Sequence, residues 1–321
     1  MITPGLAIAT GTALDGGVPA EGIHLTALRE ATAAPALDPT VRRRLVRCDD
    51  AARFGAIFVD LPYFHQFAGE VLRYLAGLPA KPSPWGAALH DGGAVALLGA
   101  LLDVARRERD DVIAAIALGV ASHCAIDRAL HPLINALARR HRTGTSHDAS
   151  HREVEKFQSI CFHERYLGRD TMGTSAITGY LMIRLASQLD DRRCSLLREA
   201  WRVALGSAPS ASELGGFRRG YRAHTRLLGT PLGKRIAPPA AKEAAQPRFL
   251  KGEWGEFGSL LEDAIAASIG VLEAAGAVLE ATTSDVHAAR ATLASRLPRG
   301  TIDPAGQQVN LDVPFQVTLR V

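Results

Sequence analysis

The 321-residue chain has only four cysteines, Cys48, Cys124, Cys161 and Cys194, and no two stand at C-x-x-C spacing. That excludes a disulfide framework and a thiolate metal site. Aromatic residues make up only 6% of the chain while hydrophobic residues reach 47%, many of them Ala and Leu, a balance that favours helix over sheet. No Lys/Arg block is interleaved with aromatics. A net charge of +4 and a pI near 9.0 therefore admit an anionic substrate without arguing for nucleic acid. No run reaches the ~18 apolar residues that cross a bilayer, so no transmembrane segment is expected. The first basic residue is Arg29, and Gly5, Gly11 and Asp15 break the early apolar stretch, which makes a poor signal peptide. A soluble, cytoplasmic chain is the resulting expectation.

What the chain does contain is a concentration of ligand-type side chains over residues 119–155. His123, Asp127 and His131 recur at i, i+4, i+8. At about 100° per residue they project from one helix face. His151 and Glu155 form a second i, i+4 pair on what reads as another helix. Imidazole nitrogens and carboxylate oxygens one turn apart can bite a single metal ion. These five residues fall within 33 positions and sit among apolar neighbours such as Ile113, Ala129, Leu130 and Ile134. Burying unpaired His and Asp is expensive, and ligating a metal removes that cost. A metal site is therefore expected, against the alternative of two ordinary helices with polar faces. Cys124 points about 100° away from His123 and reads as core.

Elsewhere the pattern is helical with Pro-rich breaks. Residues 1–22 read as irregular, followed by a helix from His24 that ends before Pro35. Asp38-Pro39-Thr40 opens a second helix through Arg47, with proline at a position that suits it. Asp60, two residues before Pro62, belongs near a helix end or turn. Residues 63–78, 94–107 and 111–137 read as helices, and 141–150 as a polar loop with Ser150 placed to cap the helix of His151 and Glu155. One or two helices are expected over 174–206 and another over 210–228. Residues 229–258 mix Pro231, Pro238, Pro239 and Pro247 with basic residues and read as a loop or lid. Residues 260–297 read as a helical hairpin broken near Thr282, and the alternation from Val309 to Val321 reads as a strand.

The run Gly119-x-x-x-His123-x-x-x-Asp127-x-x-x-His131-Pro132, followed by His151-x-x-x-Glu155, resembles the zinc-dependent phospholipase C family. Those helical hydrolases in turn resemble the S1/P1 nucleases. His24 ahead of a helix, Asp60 after Gly55, and a histidine between Asp60 and the central run belong to the same resemblance, which covers about residues 20–166. It implies an all-α, multi-helix fold of the phospholipase C/P1 nuclease type, here with a short C-terminal β segment. Residues 1–228 would form the metal-binding domain, 229–258 a loop or lid, and 259–321 a hairpin and strand packed on the same domain.

The resemblance further implies two or three Zn²⁺ ions. Asp60, His90, His123 and Asp127 would hold one, and His131, His151 and Glu155 a second. His24 would hold a third with Asp127 as a shared carboxylate. Asp60 and Glu155 would carry catalytic roles, with a metal-activated water attacking a phosphoester. Secreted members use the amine of a processed N-terminus as a ligand, whereas here 22 residues separate Met1 from His24. The family's middle histidine has two candidates, His65 and His90, of which the spacing favours His90. His147 competes with His151, since it lies one turn before it.

Of the other histidines, His141 and His147 read as solvated and His163 as surface, while His224 and His287 lack a partner at useful spacing. The arginines over 218–226 read as a solvated face or as contacts to a phosphate. Two functions from different classes follow. One is a zinc-dependent hydrolase acting on a small-molecule phosphoester. The other is a non-hydrolytic protein in which metals brace the helices, or the same scaffold runs other small-molecule chemistry.

Overall fold

The computed structural model describes residues 21–303 apart from 77, 79, 80, 82, 143–145, 186–187 and 253–254. The protein is all-α over these residues, and its one sheet there is a two-residue antiparallel ladder. The chain runs through α1 (Glu21–Ala33), α2 (Pro39–Arg47), α3 (Asp49–Ala56), α4 (Phe67–Leu75), α5 (Pro84–Ala88) and α6 (Ala94–Glu108). The long α7 (Asp111–His141) follows, then α8 (His147–Leu167), α9 (Ser175–Leu181), α10 (Asp191–Leu205) and α11 (Ala211–Leu228). Two short helices, α12 (Gly233–Ile236) and α13 (Pro239–Ala245), lead to β1 (Lys251–Gly252) and β2 (Gly255–Glu256). The hairpin α14 (Phe257–Glu280) and α15 (Val286–Arg296) comes last. The strand expected over 309–321 and the irregular first 20 residues lie outside the described residues.

Everything packs around α7. Asp110 caps it, its carboxylate accepting from Val112 N (2.9 Å) and Ile113 N (3.1 Å), which satisfies two of the helix's free N–H groups. Arg193 Nε holds that carboxylate from α10 at 2.9 Å. Helices α1, α3, α6, α8 and α14 cover α7 on its remaining sides. By length and composition alone, α7 and the stretch Pro84–Glu108 are apolar enough to span a membrane, though 89% of the α7 window is buried within the protein. Coverage by five helices accounts for that hydropathy.

Helices α3 and α7 approach until their backbones touch. A Cβ on Gly55 would run into the Ile116 carbonyl, and one on Gly119 into the Ala52 carbonyl. Only glycine permits this contact, and the contact decides the site. It brings the Ala56 carbonyl within 2.8 Å of His123 Nδ1.

Several sequence expectations need correction. Residues 63–78 are not one helix. A 3₁₀ turn over Leu61–Phe64 ends at His65, Gln66 takes a left-handed φ of 54°, and α4 begins at Phe67. Residues 229–258 are not a loop, because their prolines start short helices. Pro239 opens α13, where a missing N–H costs nothing. The segment is packed down on α8, with Phe249 buried and its carbonyl accepting from Gln158 Nε2 at 3.0 Å. Ser150 does not cap α8. The cap is Ser146, whose Oγ accepts from Ala149 N at 3.1 Å, so the helix begins one turn earlier than expected and includes His147.

Substituting Gly119 tests the close crossing. Alanine gains ~1 kcal/mol of helix propensity over glycine. A methyl driven into a backbone carbonyl instead forces the helices apart, and overpacking of that kind costs about 1–3 kcal/mol. Gly119→Ala should therefore lower the denaturation midpoint and also weaken metal binding, because Ala56 would withdraw from His123. A midpoint at or above wild type would count against the crossing.

Candidate metal centre

Five elements deliver the ligand-type side chains to one place. His24 comes from α1, and Asp60 from the turn between α3 and the Leu61–Phe64 segment. His90 sits in a π-helical stretch, Leu89–Gly93, whose distortion falls on Gly92 at φ 117°, and such bulges re-aim side chains. His123, Asp127 and His131 project from α7, and His151 and Glu155 from α8.

Asp127 is the hub. Its Oδ1 lies 3.1 Å from His24 Nε2 and 3.6 Å from His131 Nε2, and its Oδ2 lies 3.0 Å from His123 Nε2 and 3.8 Å from His90 Nε2. The side chain is almost entirely buried at 3% exposure. Asp60 faces the same space, with Oδ1 3.3 Å from His90 Nε2 and 4.0 Å from His123 Nε2.

The tautomers decide what this arrangement can do. A backbone carbonyl only accepts, so His123 Nδ1 must carry the proton it donates to Ala56 O. In the neutral ring Nε2 is then a bare lone pair. That Nε2 and Asp127 Oδ2 are both buried, lie 3.0 Å apart and form no hydrogen bond. Two acceptors at that separation repel unless a cation, a proton or a metal ion, is shared between them. His90 repeats the logic, with Nδ1 donating to Gly86 O at 2.9 Å and Nε2 turned toward the carboxylates. Fixing the distal nitrogen on a carbonyl is how proteins prepare imidazole for ligation. His24, His123 and Asp127 form one group whose ligand atoms lie within 4.8 Å of one another, and Asp60, His90 and His123 form another.

A third group stands beyond His131. Glu155 Oε1 lies 3.2 Å from His131 Nε2 and 3.3 Å from His151 Nε2. Asp303 joins them, its Oδ1 3.3 Å from His131 Nδ1, and His131, His151 and Asp303 also meet within 4.8 Å. Asn135 braces the group. Its Nδ2 donates to Asp303 Oδ1 at 2.6 Å, and its Oδ1 accepts from His151 Nδ1 and His147 Nε2, each at 2.9 Å.

Asp303 is the site residue that sequence reasoning missed. It arrives on the segment 298–303, which Arg128 ties down by donating to the carbonyls of Pro298 (2.6 Å), Gly300 (3.3 Å) and Thr301 (3.0 Å). Asn135 lies one turn past His131 on α7, at i+4, and was a legible signal.

Of the expected site residues, His24, Asp60, His90, His123, Asp127, His131, His151 and Glu155 all converge here. His65 does not, since its ring packs edge-on against Phe217 of α11 at 5.4 Å. His147 is exposed as expected, but it lies in the first turn of α8 and not in a loop, and its Nε2 bonds Asn135 Oδ1 at 2.9 Å, so His151 and not His147 meets Glu155. His163 is buried, not on the surface, its Nε2 2.7 Å from Thr26 Oγ1. His224 is buried against Phe64 and Phe67, and burial pulls its imidazole down to about 3. Cys124 lies in the core as expected.

The protein matches no family model, no curated protein and no solved structure. The arrangement of side chains is therefore what speaks to function.

The electrostatics follow from burial opposed by counter-charge. Burial would pull the His123 imidazole down, but Asp127 and then Asp60 push it up to about 9. His131 rises well above its ordinary value against burial, through Asp127, Asp303 and Glu155. Burial favours protonated Asp127, yet His123, His131 and His24 together hold it well below the carboxylate range. Glu155 is held low against burial by His151 and His131, and Asp303 is brought down to about 2 by His131. Glu21, one turn before His24, goes the other way, since burial and then Asp60 raise its carboxyl to about 8.

Two predictions follow from these charges. In the metal-free protein His123 has a folded pKa of about 9 against an ordinary 6.5. Its stabilising contribution is complete below pH 6.5 and is lost as pH rises toward 9. Metal binding runs in the opposite direction, because ligands must shed protons. The gap in melting temperature between metal-loaded and chelator-treated protein should therefore widen from pH 6.5 to 9. Parallel profiles would remove the metal from this centre. Asp127→Ala should also lose more bound metal and more stability than His24→Ala, since His24 meets only one side of the hub. Elemental analysis and thermal melts of the two variants decide this, and equal losses would contradict the hub.

Proposed function

We propose that this protein is a metal-dependent hydrolase of small-molecule phosphoesters, of the kind its sequence resembles in the zinc-dependent phospholipase C and P1 nuclease group. Two or three zinc ions would be held by the residues described above. Asp60, His90, His123 and Asp127 serve one ion. His131, His151 and Glu155 would serve a second, with Asp303 on the other nitrogen of His131, and His24 with Asp127 would serve a third. The observation that carries this reading is Asp127, a buried carboxylate whose two oxygens face different imidazole groups. Carboxylates so shared hold neighbouring ions in hydrolytic centres. Bound there, such ions polarise a phosphoryl oxygen and lower the pKa of water toward ~7.

The chain's own residues have distinct tasks. The cavity lined by His24, Asp127, His131 and Glu155 is small, about 20 Å³, room for an ion or a water. Ile23, Leu130 and Phe257 line it with apolar surface. Asp60 and His90 keep 15% of their side chains exposed, enough for a phosphoryl group to reach them. Tyr63 borders that edge, its hydroxyl 3.3 Å from His90 Nδ1. Asp60, held ionised by His123 and His90 despite burial, accepts the proton of the attacking water. Glu155, anionic between two imidazoles, orients His131 and His151.

A second reading, a metal-braced scaffold without hydrolysis, draws on Asp303. Its carboxylate forms a three-residue group with His131 and His151 that could hold an ion as a brace, and a site filled by protein ligands is closed, as in structural sites. The test is hydrolysis of bis(p-nitrophenyl) phosphate and p-nitrophenyl phosphate by fully zinc-loaded protein. Turnover is expected, and Asp60→Asn or Glu155→Gln should reduce kcat by roughly 10²-fold or more with the fold intact. Background rates at full occupancy would leave the scaffold reading standing.

A further inference from the structure

Away from the metal centre, a second cleft of about 440 Å³ opens between α11 and the segment Leu181–Leu185. Arg218, Arg222 and Arg226 line it from one face of α11, and Arg184 faces them from the opposite wall. The three helical arginines stand at i, i+4, i+8, a row of guanidinium groups about 6 Å apart along the axis. Phe54 and Ile183 give the cleft an apolar floor.

Several arginines elsewhere are held by carboxylates. Arg47 pairs with Asp111, Arg107 with Glu199 and Arg193 with Asp110. Among the described residues, Arg184, Arg218, Arg222 and Arg226 have no ion pair. A solvated basic helix face normally gains from carboxylates three or four residues away, but the only acid of α11 is Glu213. Its carboxylate is already spent, accepting from Ser210 N at 2.7 Å in the helix cap and from Trp85 Nε1 at 3.3 Å. Like charges at i, i+4 are unfavourable, and no ion pair among the described residues offsets that repulsion.

The cleft is also rigid. Tyr221 Oη donates to Leu181 O at 2.8 Å, and Arg53 Nη2 donates to Tyr180 O at 2.5 Å. Asp50 Oδ1 accepts from Arg184 N at 3.0 Å. These three bonds fix the wall that carries Arg184 before any ligand arrives, which reduces the ordering cost of binding. The volume falls within the ~300–1,000 Å³ of small-molecule sites, and guanidinium forks match phosphate oxygens.

We propose that this cleft binds an organic phosphate, its phosphate groups on the arginine row and its apolar body on the Phe54–Ile183 floor. The site is independent of the proposed hydrolysis. A nucleotide and a lipid headgroup share this chemistry, so three probes are titrated calorimetrically into the full-length protein: ADP, monomeric dihexanoyl phosphatidate and inorganic pyrophosphate. At least one organic probe should bind more tightly than pyrophosphate, and which one does so identifies the source. Arg222→Glu with Arg226→Glu should weaken that binding by about tenfold or more. Arg219→Glu, on the same helix but outside the cleft, and Asp127→Asn, in the metal centre, should leave it unchanged. The proposal fails if no probe binds or if pyrophosphate binds as tightly as the organic probes. It also fails if Arg219→Glu weakens binding equally, or if only Asp127→Asn abolishes it.

Discussion

A carboxylate with 3% exposure inside a helical protein costs several kcal/mol unless positive charge surrounds it, and Asp127 stands among four imidazoles. This group constrains most of what surrounds it. At three imidazoles of the centre that turn a nitrogen inward, the other nitrogen is satisfied elsewhere. Ala56 O does this for His123, Gly86 O for His90 and Asn135 Oδ1 for His151. The acceptors come from three different parts of the chain. The fold around α7 is arranged so that those acceptors arrive.

Each arrival has a local cause. Ala56 O reaches His123 because Gly55 and Gly119 let α3 and α7 meet backbone to backbone. His90 reaches Asp60 because the helix before α6 is distorted at Gly92. Segment 298–303 reaches α7 because Arg128 collects three of its carbonyls, and Asp303 is thereby set against His131. Net charge plays little part in this. A proton and a metal ion would compete for the same lone pairs, so charged imidazoles answer the carboxylates without metal, and neutral imidazoles would do so with it.

Much of the fold was legible because local signals agreed. Asp38 and Pro39 marked the start of α2, the apolar period marked α6 and α7, and the break near Thr282 divided α14 from α15. Errors arose where two local readings were nearly equal. Ser146 and Ser150 are both plausible caps one turn apart, and the i, i+4 pair of His151 and Glu155 survives either choice. The prolines of 229–258 mark loops or first helical positions equally well, and only packing on α8 chooses between them. His163 looked like a surface residue because its partners, Thr26 and Tyr180, come from distant helices.

The sequence by itself determined the all-α class and the row of ligand-type side chains on α7. Helical periodicity puts His123, Asp127 and His131 on one face whatever the surroundings. Tertiary structure decided which nitrogen of each imidazole is free, that His90 and not His65 joins the group, and that Asp303 belongs to it. Those outcomes depend on contacts between segments far apart in the chain. A backbone carbonyl such as Ala56 O carries no side-chain signature by which sequence could reveal it.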